Sequence, residues 1–280
     1  MTISTNDFQY ISKLVLDLSA IVLEPGKEYL VESRIQPLAK KEGLDSIEDL
    51  VMQLRSGPQN GLRSKVVDAM THNETSFFRD IHLFETLKKF IFPDLIKKRE
   101  AVRELNIWCG ASSSGQEPYT LAMLLRESFP QLQSWKINYI SSDISHEMLD
   151  RCKKGVFSQL EINRGLPATL MVKYFERHGT EWQIKENLRK MIEFRYLNLS
   201  EKWPFMPRMD LVMLRNVLIY FDVDMKKNIL KKIQNLLRPD GYLFLGAAET
   251  TMNLNASFER MDYKQSGCYR IQEGQKACNL

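Results

Sequence analysis

The residues able to do chemistry fall in four short segments of this chain. The first is Cys109-Gly110-Ala111-Ser112-Ser113-Ser114-Gly115-Gln116-Glu117, which follows an apolar run and opens a helical pattern. At such a turn backbone N–H groups can meet the polar parts of a nucleotide, and Gly110 lets the chain approach closely. A tight strand-to-helix turn without a ligand reads equally well, because the segment holds neither GxGxxG nor a Walker lysine. The second is Asp143, at the end of the next apolar run. An acid there can take ribose hydroxyls or cap the helix that follows, and its place at the carboxyl edge of a sheet favours ribose. The third is Asn73-Glu74-Thr75-Ser76-Phe77-Phe78-Arg79-Asp80. By itself it reads as a helix cap with two core phenylalanines and Arg79 paired to Asp80. The fourth is Leu214-Arg215-Asn216-Val217-Leu218-Ile219-Tyr220-Phe221, where Arg215 and Asn216 stand in an apolar run and need partners, either backbone groups or a ligand. Tyr220 fits a core with its hydroxyl at the rim.

The elements that must position these segments differ between the two parts of the chain. Before residue 73 the spacing is helical. Phe8, Ile11, Leu14, Val15 and Leu18 recur at helical intervals, and a second helix is expected over Lys27–Lys41, weakened or kinked at Pro37. Ser46 caps Ile47–Leu54, and Leu62–Met70 forms a fourth helix. After about residue 100, strands and helices alternate. The expected strands are Leu105–Cys109, Ile137–Ile140, Ile192–Tyr196, Asp210–Leu214 and Tyr242–Leu245. Helices are expected over Glu117–Ser128, after Ser145, and after Asp222 or Asp224, the last burying Met225, Ile229, Ile233 and Leu237. This order implies a parallel sheet with helices on both faces. Phe258–Ile271 suits an antiparallel edge hairpin. Residues 155–190 are too many for a structureless loop; Trp182–Ile184 and a second segment near Leu188 suggest a small inserted subdomain.

Composition excludes some classes. The 280 residues are 44% hydrophobic and 26% charged, enough apolar material for a core. No apolar run approaches the roughly 20 residues that span a bilayer, and the first residues lack a secretion-signal pattern, so a cytoplasmic protein without membrane insertion is expected. The four cysteines, Cys109, Cys152, Cys268 and Cys278, form no CxxC, and no histidine pair stands at zinc spacing. Neither a disulfide nor a metal framework is expected, and Cys109 reads as a buried thiol. A net charge of +4 is weak as a nucleic-acid signal. The basic residues Lys27, Arg34, Lys40, Lys41, Arg55, Arg63 and Lys65 sit in the helical part without interleaved aromatics. They suit an acidic protein helix better than a stacked nucleic acid, and a merely solvated face explains them as well.

Taken in order, NETSFFRD (73–80), SSSGQEPYTLA (112–122), SSDIS (141–145), RNVLIYFD (215–222) and LFLGAAET (243–250) make the chain similar to the CheR family of chemotaxis receptor methyltransferases, over nearly its whole length. The resemblance implies a Rossmann-like class I methyltransferase sheet over 91–280, an all-helical domain over 1–72, a linker over 73–90 that enters the active site, and a β-subdomain near 155–190. It implies S-adenosylmethionine as cofactor, S-adenosylhomocysteine as product, and no metal. The cofactor residues implied are Asn73, Thr75, Arg79, Glu117, Asp143, Asn198, Leu199, Arg215 and Asn216, with Gly110 of the first turn beside them. Arg79 and Tyr220 would face the transferred methyl group. Gln116 departs from the family, which often has a glutamate there, while Glu117 is kept. The implied reaction forms glutamate methyl esters on the cytoplasmic helices of methyl-accepting chemotaxis receptors. The implied enzyme is a monomer that binds no nucleic acid. Its rivals are a methyltransferase of another acceptor and a non-catalytic cofactor sensor. The sensor would be expected to have lost Arg79, Tyr220 or the acids, and none is lost.

Overall fold

Ser4 starts the chain's first helix by capping it: its hydroxyl accepts from the Asp7 N–H at 3.1 Å. The computed structural model describes residues 3–57, 60–263 and 266–272. Four helices come first, α1 (Thr5–Ser19), α2 (Glu28–Lys41), α3 (Ile47–Arg55) and α4 (Asn60–Met70). Phe8, Ile11, Val15, Val31, Ile35, Leu50, Leu54 and Val66 fill a core of their own between them. Pro37 does not end α2, which runs through it to Lys41. Pro37 is exposed, so the carbonyl that loses its N–H partner lies toward water. Ser46 caps α3 as its spacing implies, accepting from Asp49 N–H at 3.0 Å.

Residues 81–99 are helical throughout, which the sequence reading did not foresee. They form α5 (Ile81–Thr86), a π-helical turn over Leu87–Ile91, and α6 (Phe92–Arg99). The main sheet and its coverings then follow as β1 (Glu104–Gly110), α7 (Gln116–Ser128), β2 (Lys136–Asp143) and α8 (His146–Lys154). The insertion contains β3 (Val156–Phe157), α9 (Gln159–Asn163), α10 (Ala168–Tyr174), β4 (Phe175–His178), β5 (Glu181–Ile184) and α11 (Glu186–Arg189). Its strands form a separate antiparallel sheet in the order β3-β5-β4. The segment near Leu188 is the short helix α11, whose Leu188 is buried while Glu186 and Lys190 are exposed. The chain closes with β6 (Glu193–Tyr196), β7 (Met209–Leu214), α12 (Val223–Leu236), β8 (Leu237–Phe244), β9 (Phe258–Arg260) and β10 (Cys268–Ile271).

The main sheet has the order β6-β2-β1-β7-β8-β10-β9. The first five are parallel neighbours, and β10 runs antiparallel between β8 and β9. This is the class I methyltransferase arrangement. The pleat sorts the side chains. Leu105, Ile107 and Cys109 of β1 join one core with α7, while Trp108 joins the other with Ile229, Leu230 and Ile233 of α12. Each of those buried aliphatics contributes roughly 1.5–3 kcal/mol. Cys109, Cys152 and Cys268 are buried free thiols, and burial holds the Cys109 thiol well above its usual range. Cys278 lies outside the described residues. Among the described residues no helix is long and apolar enough to cross a membrane.

An ion cluster fixes the amino edge of the sheet. The fully buried Asp210 carboxylate accepts from Arg99 Nε at 2.6 Å and from the Asn106 N–H at 2.8 Å, and lies 3.2 Å from Arg238 Nε. Arg99 also grips Asp240 with both Nη atoms, at 2.9 and 2.6 Å. Removing one partner strands buried charge, at a cost of about 3–5 kcal/mol. Asp210→Ala is therefore expected to lower the urea midpoint by an amount corresponding to that loss. Its affinity for S-adenosylhomocysteine, measured well below the midpoint, is expected to stay at the wild-type value.

Candidate active site

All four chemical segments meet at the carboxyl edge of the main sheet, the edge where doubly wound sheets bind ligands. They enclose a cavity of about 900 Å³, counting its open mouth. Its wall includes Asn73, Thr75, Arg79, Glu117, Asp143, Asn198, Leu199, Arg215, Asn216 and Tyr220. Gly110 is the one implied cofactor residue outside the lining. A Cβ on Gly110 would lie 2.6 Å from Leu214 Cδ1 and 3.0 Å from the Trp108 ring, so the glycine serves close strand packing beneath the cavity. Ser19, Ile21, Thr71 and His72 also line the space, which sequence reasoning missed. Nothing in their types announces it; the helical domain reaches the site only through tertiary packing.

Arg215 is a deeply buried charge in the wall, its side chain only 2% exposed. It pairs with Glu117 at the start of α7 and with Asp80 of the linker. Asp80 therefore serves Arg215 and not its neighbour Arg79. Burial opposes the Arg215 charge, but the two carboxylates more than offset this and raise its pKa. Arg79 donates to the Glu74 carbonyl at 2.9 Å, and among the described residues it forms no ion pair within 4 Å. Glu74 is held from the insertion by Arg164. The Ser113 hydroxyl donates to the Asn73 carbonyl at 2.8 Å, and the Phe78 N–H donates to Thr120 Oγ1 at 3.2 Å, seating the linker on the turn and on α7.

Asp143 ends β2 with both carboxylate oxygens turned to backbone. Oδ2 accepts from the Ser113 N–H at 2.8 Å and Oδ1 from the Ser145 N–H at 2.9 Å. The cap of α8 is Ser145, whose hydroxyl accepts from Met148 N–H. Each Asp143 oxygen keeps a lone pair for a ligand. Burial pushes this carboxyl up to about 6, against the pull of the Ser145 and Ser113 N–H groups. Tyr220 is half-buried; burial raises its pKa while Arg34 and Arg79 draw it down. Asn198 lines the cavity, yet its amide is used elsewhere, donating to the Leu18 carbonyl at 2.7 Å and accepting from Ser200. It fastens the helical domain to the sheet domain. The seven basic residues of the helical part do not form one face. Arg34 donates to the Met70 and Thr71 carbonyls at 2.9 and 3.0 Å and meets His72 Nδ1, so it anchors the linker. Arg34, Lys41 and Lys65 line a groove toward α8, while Lys40 lies in a different depression with Ile3 and Glu32.

The family model described as CheR methyltransferase, SAM binding domain, matches residues 73–266, and CheR methyltransferase, all-alpha domain, matches residues 6–71. The chain belongs to the CheR methyltransferase family. It is 38% identical to chemotaxis protein methyltransferase 1 of Pseudomonas aeruginosa over 275 residues, covering 96% of this chain and 99% of that one. It is 39% identical to chemotaxis protein methyltransferase Cher2 of Pseudomonas putida over 259 residues, covering 91% and 94%. A chemotaxis protein methyltransferase of Vibrio anguillarum is 37% identical, covering 97% and 98%. This CheR protein is thus an S-adenosylmethionine-dependent methyltransferase of the chemotaxis type.

The cavity fits that cofactor. Its wall holds the Asp143 carboxylate, a group able to accept from hydroxyls, an apolar surface at Leu197 and Leu199, and the Glu117–Arg215–Asp80 cluster, whose charges sum to one net negative. An ionised carboxylate accepts from hydroxyl groups more strongly than the protonated acid, which turns one oxygen into a donor, so a hydroxyl-bearing ligand at Asp143 favours loss of its proton. Affinity for S-adenosylhomocysteine is therefore expected to be full above about pH 7 and to fall as pH drops through about 6. Asp143→Ala is expected to weaken binding by about 1.5–3 kcal/mol at pH 7.5 and to flatten this pH dependence. Calorimetry over about pH 5 to 8, in steps of about one unit, checks both; a wild-type profile in Asp143→Ala removes the ribose assignment.

Proposed function

We propose that this chain is a protein-glutamate O-methyltransferase acting in the cytoplasm as a monomer, and that its acceptors are glutamates on the cytoplasmic helices of methyl-accepting chemotaxis receptors. The observation that carries the reading is Arg79, a guanidinium at the cavity wall with no carboxylate within 4 Å among the described residues. A carboxylate acceptor completes it. Arginine presents paired N–H donors that match a carboxylate.

The chemistry asks little more of the protein. A glutamate side chain, with a reference pKa near 4.3, is already ionised at neutral pH and needs no general base. The cofactor supplies a methyl group on a sulfonium sulfur, which leaves as a neutral thioether when the carboxylate oxygen takes the methyl. Arg79 holds the acceptor carboxylate, and Tyr220, a phenol protonated at neutral pH whose pKa burial raises further, can donate to it. Holding the two reactants in line can supply roughly 7–11 kcal/mol of the barrier. His72, also in the wall, meets Arg34 at Nδ1 and lies 3.6 Å from Glu74 at Nε2. The division of the chain into a helical domain over 1–72, a linker over 73–90 and a catalytic domain over 91–280 then follows the work: docking, acceptor binding and methyl transfer. The groove that adjoins the cavity at Thr71 and Asn73 is lined by Arg34, Lys41, Lys65, Arg151 and Lys154 together with Asp68, Glu147 and Asp150, a basic excess that suits an acidic helix.

Methyl-labelled cofactor incubated with purified receptor cytoplasmic domains tests the acceptor. The label is expected to leave as methanol in mild alkali, as from a carboxyl ester. Label that remains on the receptor excludes glutamate esterification. In the same assay Arg79→Ala is expected to lower kcat/KM for receptor about 100-fold, or about 2.7 kcal/mol, with its circular dichroism unchanged.

A further inference from the structure

Glu249 stands in the LFLGAAET segment, in a turn just beyond β8, and does not line the cavity. Its side chain nevertheless governs the loop that does. The residue is 8% exposed. Oε2 accepts from the Gly246 N–H at 2.6 Å and from the Asn216 N–H at 2.8 Å. Oε1 accepts from the Val217 N–H at 2.8 Å and from the Leu218 N–H at 2.7 Å. Three of these donors are consecutive residues of the loop after β7, which turns through Asn216 in a left-handed conformation at φ +58°. Successive N–H groups converging in this way form a concave anion site, and here the anion is the protein's own carboxylate. The approach is close: a Cβ on Gly246 would lie 2.7 Å from Asn216 Nδ2 and 2.8 Å from Glu249 Oε2.

That loop carries Arg215, Asn216, Val217 and Tyr220 into the cavity wall. A non-glycine residue held left-handed persists only where its surroundings fix it. The Glu249 carboxylate supplies that restraint, and no backbone acceptor in the loop replaces it for the three N–H groups. We propose that Glu249 is a positioning residue for methyl transfer: by binding the N–H groups of residues 216–218 it sets the loop that presents Arg215 and Asn216 to the cofactor and Tyr220 to the reacting methyl group. The inference rests on the assignment of Tyr220 to the methyl side of the cavity, and it is independent of which protein is the acceptor.

The test compares Glu249→Gln, which keeps the shape but replaces one acceptor oxygen by a donor, with Asp210→Asn, a remote change in the amino-edge cluster. S-adenosylhomocysteine affinity is measured by calorimetry, and kcat and KM by labelled methyl transfer to receptor cytoplasmic domains, all at least about 15 °C below each variant's melting point. Glu249→Gln is expected to lose at least about 10-fold in cofactor affinity and at least about 10-fold in kcat at saturating substrates. Asp210→Asn is expected to lose melting temperature but to keep both values within about twofold. Wild-type affinity and kcat in Glu249→Gln, or equal losses in Asp210→Asn, overturn the proposal. If receptor is not the acceptor, the wild type transfers no label while its cofactor affinity remains measurable, so the calorimetric comparison still decides. Should Glu249→Gln fail to fold, amide exchange in the wild type decides: the N–H groups of residues 216–218 are expected to exchange slowly, and exchange at the rate of an open loop overturns the proposal.

Discussion

The buried guanidinium of Arg215 is the joint on which the site depends. It ties the loop after β7 to Glu117 at the head of α7 and to Asp80 of the linker, segments 98 and 135 residues away in sequence. A charge so fully removed from water is tolerated only when paired, and stranding it is strongly unfavourable. The pairing therefore forces three separate pieces of chain to meet at one point of the sheet edge. The cofactor cavity is the space left around that point. The same cluster leaves one net negative charge beside the cavity, a suitable environment for a sulfonium.

The surrounding backbone is held in costly conformations. Of the eight described non-glycine residues at positive φ, Phe78, Asp80, Ala111, Ser113 and Asn216 lie in the segments that build the cavity. Such strain survives where neighbours over-determine it, and the neighbours are visible: Thr120 on Phe78, Arg215 on Asp80, Asp143 on Ser113, Glu249 on Asn216. The helical domain takes part in this. Val22 N–H donates to the Tyr220 carbonyl at 3.0 Å, and Asn198 reaches the Leu18 carbonyl. Docking on that domain would thus act on the walls of the site and not on a distant appendage.

What could be read from sequence was whatever local periodicity or a cap encodes. The strands at Leu105, Ile137 and Asp210, the caps Ser46 and Ser145, and the terminal hairpin are all present in the structure. Three kinds of feature were out of reach. Leu188 lies in a run too short to separate strand from helix, and only its packing makes it helical. Arg79 and Asp80 are adjacent and opposite in charge, yet Asp80 turns to Arg215, a partner no local pattern reveals. Arg34, read as a surface cation, spends its donors on the Met70 and Thr71 carbonyls at the end of α4, just before the linker. Each depends on contacts between residues far apart in sequence, and with one sequence such contacts leave no trace. The motifs stand in order along the sequence; the ion pairs that bring them together exist only in the fold.

Calorimetric titration of S-adenosylhomocysteine into the wild type and into Arg215→Met tests the assembly most directly. Methionine keeps much of the side chain's bulk and removes the charge that draws Glu117 and Asp80 together. The account predicts affinity at least about 10-fold weaker in Arg215→Met, about 1.4 kcal/mol or more, with helical content by circular dichroism unchanged. Equal affinity in the two proteins would contradict it, because the cavity would then form without the joint assigned to hold it.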